Sequence, residues 1–181
     1  MNLTSPIRLA TAVFVAALGV TSVTLAASGS PTSHKSAPPT SCVSSQIKVS
    51  TGTTKLQLGP ELHRTTTPII FTNHGVACYI FGTPVLRAVN GPRHVAVANF
   101  AKSASMGEMP ARHLVATNGT VSTTFTNSLY FSLANCHVVS ADGLIVGIPG
   151  FVNTTYVPLA MNVCAGMTAT STRLLSPGRA G

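Results

Sequence analysis

The stretch VLRAVNGPRHVAVANF, residues 85–100, decides the fold class. Two apolar runs, Val85 to Val89 and His94 to Phe100, flank Asn90-Gly91-Pro92, a turn signal between candidate strands. The same unit recurs on both sides. Toward the N-terminus, Ile47-Lys48-Val49 alternates, Pro68 to Thr72 is short, apolar and β-branched, and Cys78 to Phe81 closes at Gly82-Thr83-Pro84. Toward the C-terminus, His113 to Ala116 leads to Asn118-Gly119, a second hairpin-type dipeptide. Val121 to Leu133 is rich in Thr and aromatics, and Gly143 to Ile148 ends at Pro149-Gly150. Thr155 to Val163 and Met167 to Leu174 complete the set. No window outside the N-terminal segment keeps a 3.6-residue period. About nine strands at intervals of roughly 8 to 15 residues predict an all-β chain folded as an antiparallel β-sandwich of about 7–9 strands. Met106 to Arg112 is the one stretch left for a helical turn or a long loop, and Ser176 to Gly181 reads as a disordered tail.

Composition narrows the chemistry. The chain has 181 residues, with 11 Lys and Arg against 3 Asp and Glu. Only 8% of residues are charged, where a soluble domain carries about 25%. A hydrophobic fraction of 45% separates it from disordered chains. Hydroxyls take the place of charge, with 18 Ser and 24 Thr. Any paired-carboxylate hydrolase site or carboxylate-rich Ca²⁺ or Mg²⁺ site would have to be built from Glu61, Glu108 and Asp142 alone, a near-exclusion.

The N-terminus sets the expected compartment. Residues 1–27 read as a signal peptide: Arg8 is followed by the uncharged run Leu9 to Ala27 and then by small residues. A run of 19 residues can just span a bilayer, but its Ala, Val, Thr and Gly content and small-residue end favour cleavage over an uncleaved anchor. Lipidation is disfavoured because Ser28 stands where a lipobox needs Cys. Residues 28–41 form a Ser/Pro-rich linker, and one β-sandwich domain is expected over 42–175. Four Cys follow the signal: Cys42, Cys78, Cys136 and Cys164. In an oxidising compartment they read as two structural disulfides. Three connectivities are open, and sequence alone does not choose; nearest-neighbour pairing, Cys42–Cys78 and Cys136–Cys164, is the one favoured here. A metal site is disfavoured because no C-x-x-C occurs and no His stands at ligand spacing from a Cys.

Several short motifs share an order with a known family. Asn73-His74-Gly75, then Cys78, then Gly82-Thr83-Pro84 resembles its "N-x-G … C-x-x-x-G-x-P" segment. Leu144-Ile145-Val146 before Pro149-Gly150, and Val163-Cys164-Ala165-Gly166, resemble its C-terminal signatures. The family is an actinobacterial group of exported four-cysteine domains of unknown function, many of them lipoproteins. The resemblance spans about Cys42 to Leu174. It implies an immunoglobulin-like sandwich at the cell surface or outside the cell, and no activity. Ser28 in place of the lipobox Cys departs from it, as does Asn118-Gly119 where Pro-Gly is common.

No catalytic constellation stands out. Six His (His34, His63, His74, His94, His113 and His137) and many Ser permit a triad by count, but G-x-S-x-G is absent. Copper is the sharper alternative, because cupredoxins are also exported sandwiches. Cys164-Ala165-Gly166-Met167 supplies Cys and Met but no adjacent His, and Met106, Met109 and His113 form only a loose soft-ligand group. Asn118-Gly119-Thr120 and Asn153-Thr154-Thr155 match sequons and mark exposed loops. The net charge of +8 would suit nucleic acid, but the signal opposes that partner and no Lys/Arg run exists. The expectation is therefore a non-catalytic binding module without cofactor, secreted or held in the cell envelope. A secreted metal-binding protein or a hydrolase with a cryptic site is the alternative. The binding module's partners would be anionic cell-wall polymers, lipid headgroups or another envelope protein. Lys48, Lys55, Arg64, Arg87, Arg93 and Lys102 are the candidate contributors to a basic surface, although the sequence does not place them on one face.

Overall fold

A computed structural model describes residues 37–104, 107–130 and 133–178. The expected signal peptide and most of the linker lie outside these residues. A 3-10 turn at Ser44–Gln46 precedes β1 (Ile47–Thr51), β2 (Lys55–Leu58), β3 (Leu62–Asn73), β4 (Cys78–Phe81), β5 (Val85–Asn90) and β6 (Val95–Phe100). Then come β7 (Lys102–Ser103), β8 (Arg112–Val115), β9 (Thr120–Tyr130), β10 (His137–Gly147), β11 (Thr155–Ala165), β12 (Thr170–Thr172) and β13 (Ser176–Pro177).

The chain is all-β, a sandwich of many strands. The larger sheet runs β1-β3-β9-β12-β7, with β2 also on β3 and β13 also on β9. The smaller runs β11-β10-β5-β6, and β4 with β8 forms a two-stranded piece. The hairpin expected at 85–100 is β5 and β6, with Gly91 at φ 75 and His94 at φ 50 in the turn. Two details depart from the expectation. Among the described residues thirteen strands form where about seven to nine are expected, because short pieces such as β7 and β13 add to the set. Pairing is not wholly antiparallel: β7 runs parallel to β12.

The core follows from alternation. On β3, Ile69 and Phe71 point inward, and on β9 Val121 and Phe125 do the same. They meet Leu86 and Ala88 of β5, Leu144 and Val146 of β10 and Val163 of β11 in one apolar cluster. A register shift between Ala141 and Gly143 changes the phase of β10, so its inward positions pass from odd to even numbers. Gly143 permits this, because a Cβ there would meet the Tyr156 ring. Asp142 then accepts hydrogen bonds from Gly91 N–H at 2.8 Å and from the Tyr156 hydroxyl.

Both expected disulfides are present, Cys42–Cys78 and Cys136–Cys164, and among the described residues no Cys is free. Two such bonds fit an oxidising compartment. The first fastens the chain entry: Cys42 N–H donates to Tyr79 O at 2.9 Å and Tyr79 N–H to Thr40 O at 2.8 Å. The last two residues of the expected linker are thus tied to β4. The second sits where the β10–β11 ladder ends, with Cys164 opposite Val138. The tail also differs from its expectation. Ser176 and Pro177 pair with Ser122 and Val121, and Gly178 N–H donates to Thr120 O at 2.9 Å. The strand continues because β9 offers an unpaired edge beyond β12. Residues 107–111 form a loop before β8.

Tyr156 yields a pH prediction. Its packing against the sheet pushes the phenol above 10.0, and the Asp142 charge and hydrogen bond push the same way. The folded chain therefore holds this proton more tightly than the unfolded chain. The stabilisation is complete below 10.0 and lost as pH rises through the higher folded value. An ultraviolet difference titration of wild type against Tyr156→Phe should show this ionisation displaced upward. An ordinary tyrosine titration in the difference spectrum would contradict the assignment.

Candidate functional site on the open face of the large sheet

Successive residues of a strand alternate between faces, so the inward residues of β3 and β9 fix which side is open. With Ile69, Phe71, Val121 and Phe125 inside, the even-numbered residues lie on the other face, which is open around Arg64, Thr66, Thr124 and Thr126 and covered at Pro68, Ile70 and Ser122. Register then aligns one row across five strands. Lys55 of β2 lies opposite Thr66 of β3, and Thr66 opposite Thr126 of β9. Thr126 lies opposite Ser171 of β12, and Ser171 opposite Lys102 of β7. At about 4.8 Å per strand the row is about 19 Å long. It has a lysine at each end and three hydroxyls between.

Two arginines flank the row. Arg64 lies opposite Gln57 on one side and Ser128 on the other. Arg173 follows β12, and its N–H donates to Thr124 O at 3.2 Å, continuing the β9 pairing. Arg64, Thr66, Lys102, Thr126, Ser171 and Arg173 line a shallow concavity of about 600 Å³. All four basic residues are exposed. None of the three carboxylates belongs to a strand of this sheet: Glu61 lies between β2 and β3, Glu108 in the loop before β8, and Asp142 in β10. The row itself therefore contains no acidic residue; Glu108 shares a neighbouring hollow with Arg173 and Thr124.

The structure separates the six basic candidates. Lys48, Lys55, Arg64 and Lys102 share this face, Lys48 farther along on β1 opposite Thr72. Arg87 and Arg93 do not. Arg87 belongs to β5 of the smaller sheet, lies 4.7 Å from the centre of the Phe100 ring, and donates from Nε to Ala98 O at 3.0 Å. Arg93 is in the β5–β6 turn. Arg173 was missed. Its signal is its place two residues beyond Ser171, hence on the same face of an extended strand.

The other candidate chemistries find these settings. Cys164 is held in a disulfide. His113 Nε2 lies 2.9 Å from Leu175 O, and the His94 ring stacks on Tyr156 at 4.0 Å. Met109 is exposed, and Met106 lies outside the described residues. Among the described residues no group of three or more His, Cys, Asp or Glu converges on a metal site. Asn118 and Asn153 are exposed. Comparison of the chain with protein-family models, curated proteins and solved structures finds no match.

Proposed function

We propose that this domain is an exported, cell-envelope binding module that holds an anionic wall polymer along the open face of its larger sheet. The observation that carries the reading is the Lys55–Thr66–Thr126–Ser171–Lys102 row, flanked by Arg64 and Arg173 on a sheet without carboxylates. Charges at both ends of about 19 Å favour a chain with several anionic groups over a single small anion. Arginine can grip an oxyanion with two parallel hydrogen bonds, and the intervening hydroxyls can both donate and accept. A polymer fits better than a lipid surface, because the row offers no apolar side chain to insert below headgroups. The two disulfides support a site outside the cytoplasm. The resemblance to exported four-cysteine domains, with their immunoglobulin-like fold, belongs to the same reading.

The test is co-sedimentation of the purified protein with isolated cell-wall polymer at low and high salt. Exposed charges are screened within about 10 Å at 0.1 M salt, so binding should be clear at low ionic strength and fall steeply above that level. Failure to bind at low salt would overturn the proposal.

A further inference from the structure

On the other face of β9 lies a second feature. Thr126 and Ser128 point to the open face, whereas Asn127 and Leu129 point between the two sheets. There, where β2 projects past the core, a cleft of about 220 Å³ opens. Its lining mixes apolar side chains, Leu56 and Leu58 of β2, Leu129, and Met161 of β11, with polar ones that include His63 and Thr65. Thr67 and Asn127, also in the lining, are 2% and 1% exposed. Leu56 and Leu58 at the rim are 60% and 65% exposed, unusual for two leucines on one face of a four-residue strand.

Asn127, one of the lining residues, holds an unspent acceptor. Asn127 Nδ2 donates to Asn162 O at 2.7 Å, which fixes the amide, since a flipped amide would set two oxygens against each other. Its Oδ1 is left buried without a hydrogen-bond partner among the described residues. An acceptor buried in this way is costly unless something donates to it. Thr67, whose hydroxyl pairs with that of Thr54 at 2.9 Å, makes no hydrogen bond to it.

We propose that this cleft binds a small aliphatic alcohol, with its hydroxyl donating to Asn127 Oδ1 and the hydrocarbon along the leucine and methionine side chains. The size agrees: an apolar cavity of about 150 Å³ already holds benzene, so this one suits roughly seven to ten heavy atoms. The site is independent of the cationic row, and either can fail without the other.

Two isomers provide the test, 1-hexanol and 1-methoxypentane, which differ in having or lacking a donor. In an NMR titration of the purified protein, 1-hexanol should move the Leu56, Leu58 and Met161 methyl signals and the Asn127 side-chain amide with one saturating curve. 1-Methoxypentane should bind about tenfold more weakly, because it leaves the acceptor unpaired. Leu58→Glu, at an exposed position that the fold does not need, should abolish binding while the rest of the spectrum is kept. No saturating shift with 1-hexanol, as when water alone satisfies the acceptor, would overturn the proposal. So would equal affinity for the two isomers, or undiminished binding by the Leu58→Glu variant.

Discussion

Replacing Cys42 and Cys78 together by alanine should lower the unfolding free energy by about 4 kcal/mol. The two residues are 36 apart in sequence, and freeing a loop of that length returns about that much entropy to the unfolded chain. Two further losses act in the same direction. Both cysteines are buried, Cys42 at 5% exposure and Cys78 at 1%, so the missing sulfurs leave core volume unfilled. The bond also holds residues 40–42 beside β4, where Tyr79 both donates to Thr40 O and accepts from Cys42 N–H. Chemical denaturation of the double variant against wild type measures the effect. A loss below about 1 kcal/mol would mean that this bond does not constrain the unfolded chain as described.

Asn73→Ala should cost about 3 kcal/mol, more than a surface substitution by a wide margin. The side chain is fully buried. Its Nδ2 group faces the carbonyls of Val76 at 2.8 Å, Val115 at 3.0 Å and Ala116 at 3.3 Å, and its Oδ1 accepts from Gly75 N–H at 2.9 Å. The main chain adds two bonds to the β8–β9 turn, from Asn73 N–H to Gly119 O and from Asn118 N–H to Asn73 O. One residue therefore ties the β3–β4 turn to the β8–β9 turn. Alanine would leave buried polar groups on both turns without partners. His74→Ala, at the exposed next position, should change stability by less than about 0.5 kcal/mol. Equal effects of the two substitutions would contradict this account of Asn73.

Those contacts also give the Asn73-His74-Gly75 motif a physical reason. Gly75 is needed because a Cβ there would strike the Gln46 side chain. Gly82 is similar: φ is +99, and a Cβ would lie 2.8 Å from Pro149 Cγ. Two motifs far apart in sequence are thus one packing contact. Short sequence patterns carried this information without showing what touched what.

Strands with an apolar inward face were legible, as residues 85–100 show. The first half of β3, Leu62 to Thr67, was not, because LHRTTT presents polar side chains to both the cleft and the open face. The first half of β10 was missed for another reason. The register shift at Ala141/Gly143 breaks the alternation that would have joined it to GLIVG. KLQL alternates, but over only four residues, all of them exposed, so β2 does not stand out from a loop. The candidate site suffered most from these gaps. Lys55, Arg64 and Lys102 come together only through pairings among β2, β3, β9, β12 and β7, and one of these is parallel. Local sequence does not encode such long-range register.

The most direct test of the cationic face compares two double variants that remove the same charge. Arg64→Gln with Arg173→Gln takes two charges from the open face. Arg87→Gln with Arg93→Gln takes two from the smaller sheet and its turn. Binding to isolated wall polymer is measured for both across a salt series, with folding checked by circular dichroism. The first pair should weaken low-salt binding about tenfold or more and flatten its salt dependence, while the second stays within about twofold of wild type. Equal losses in the two variants would show that net charge alone governs attraction, and the open face would not be the binding site.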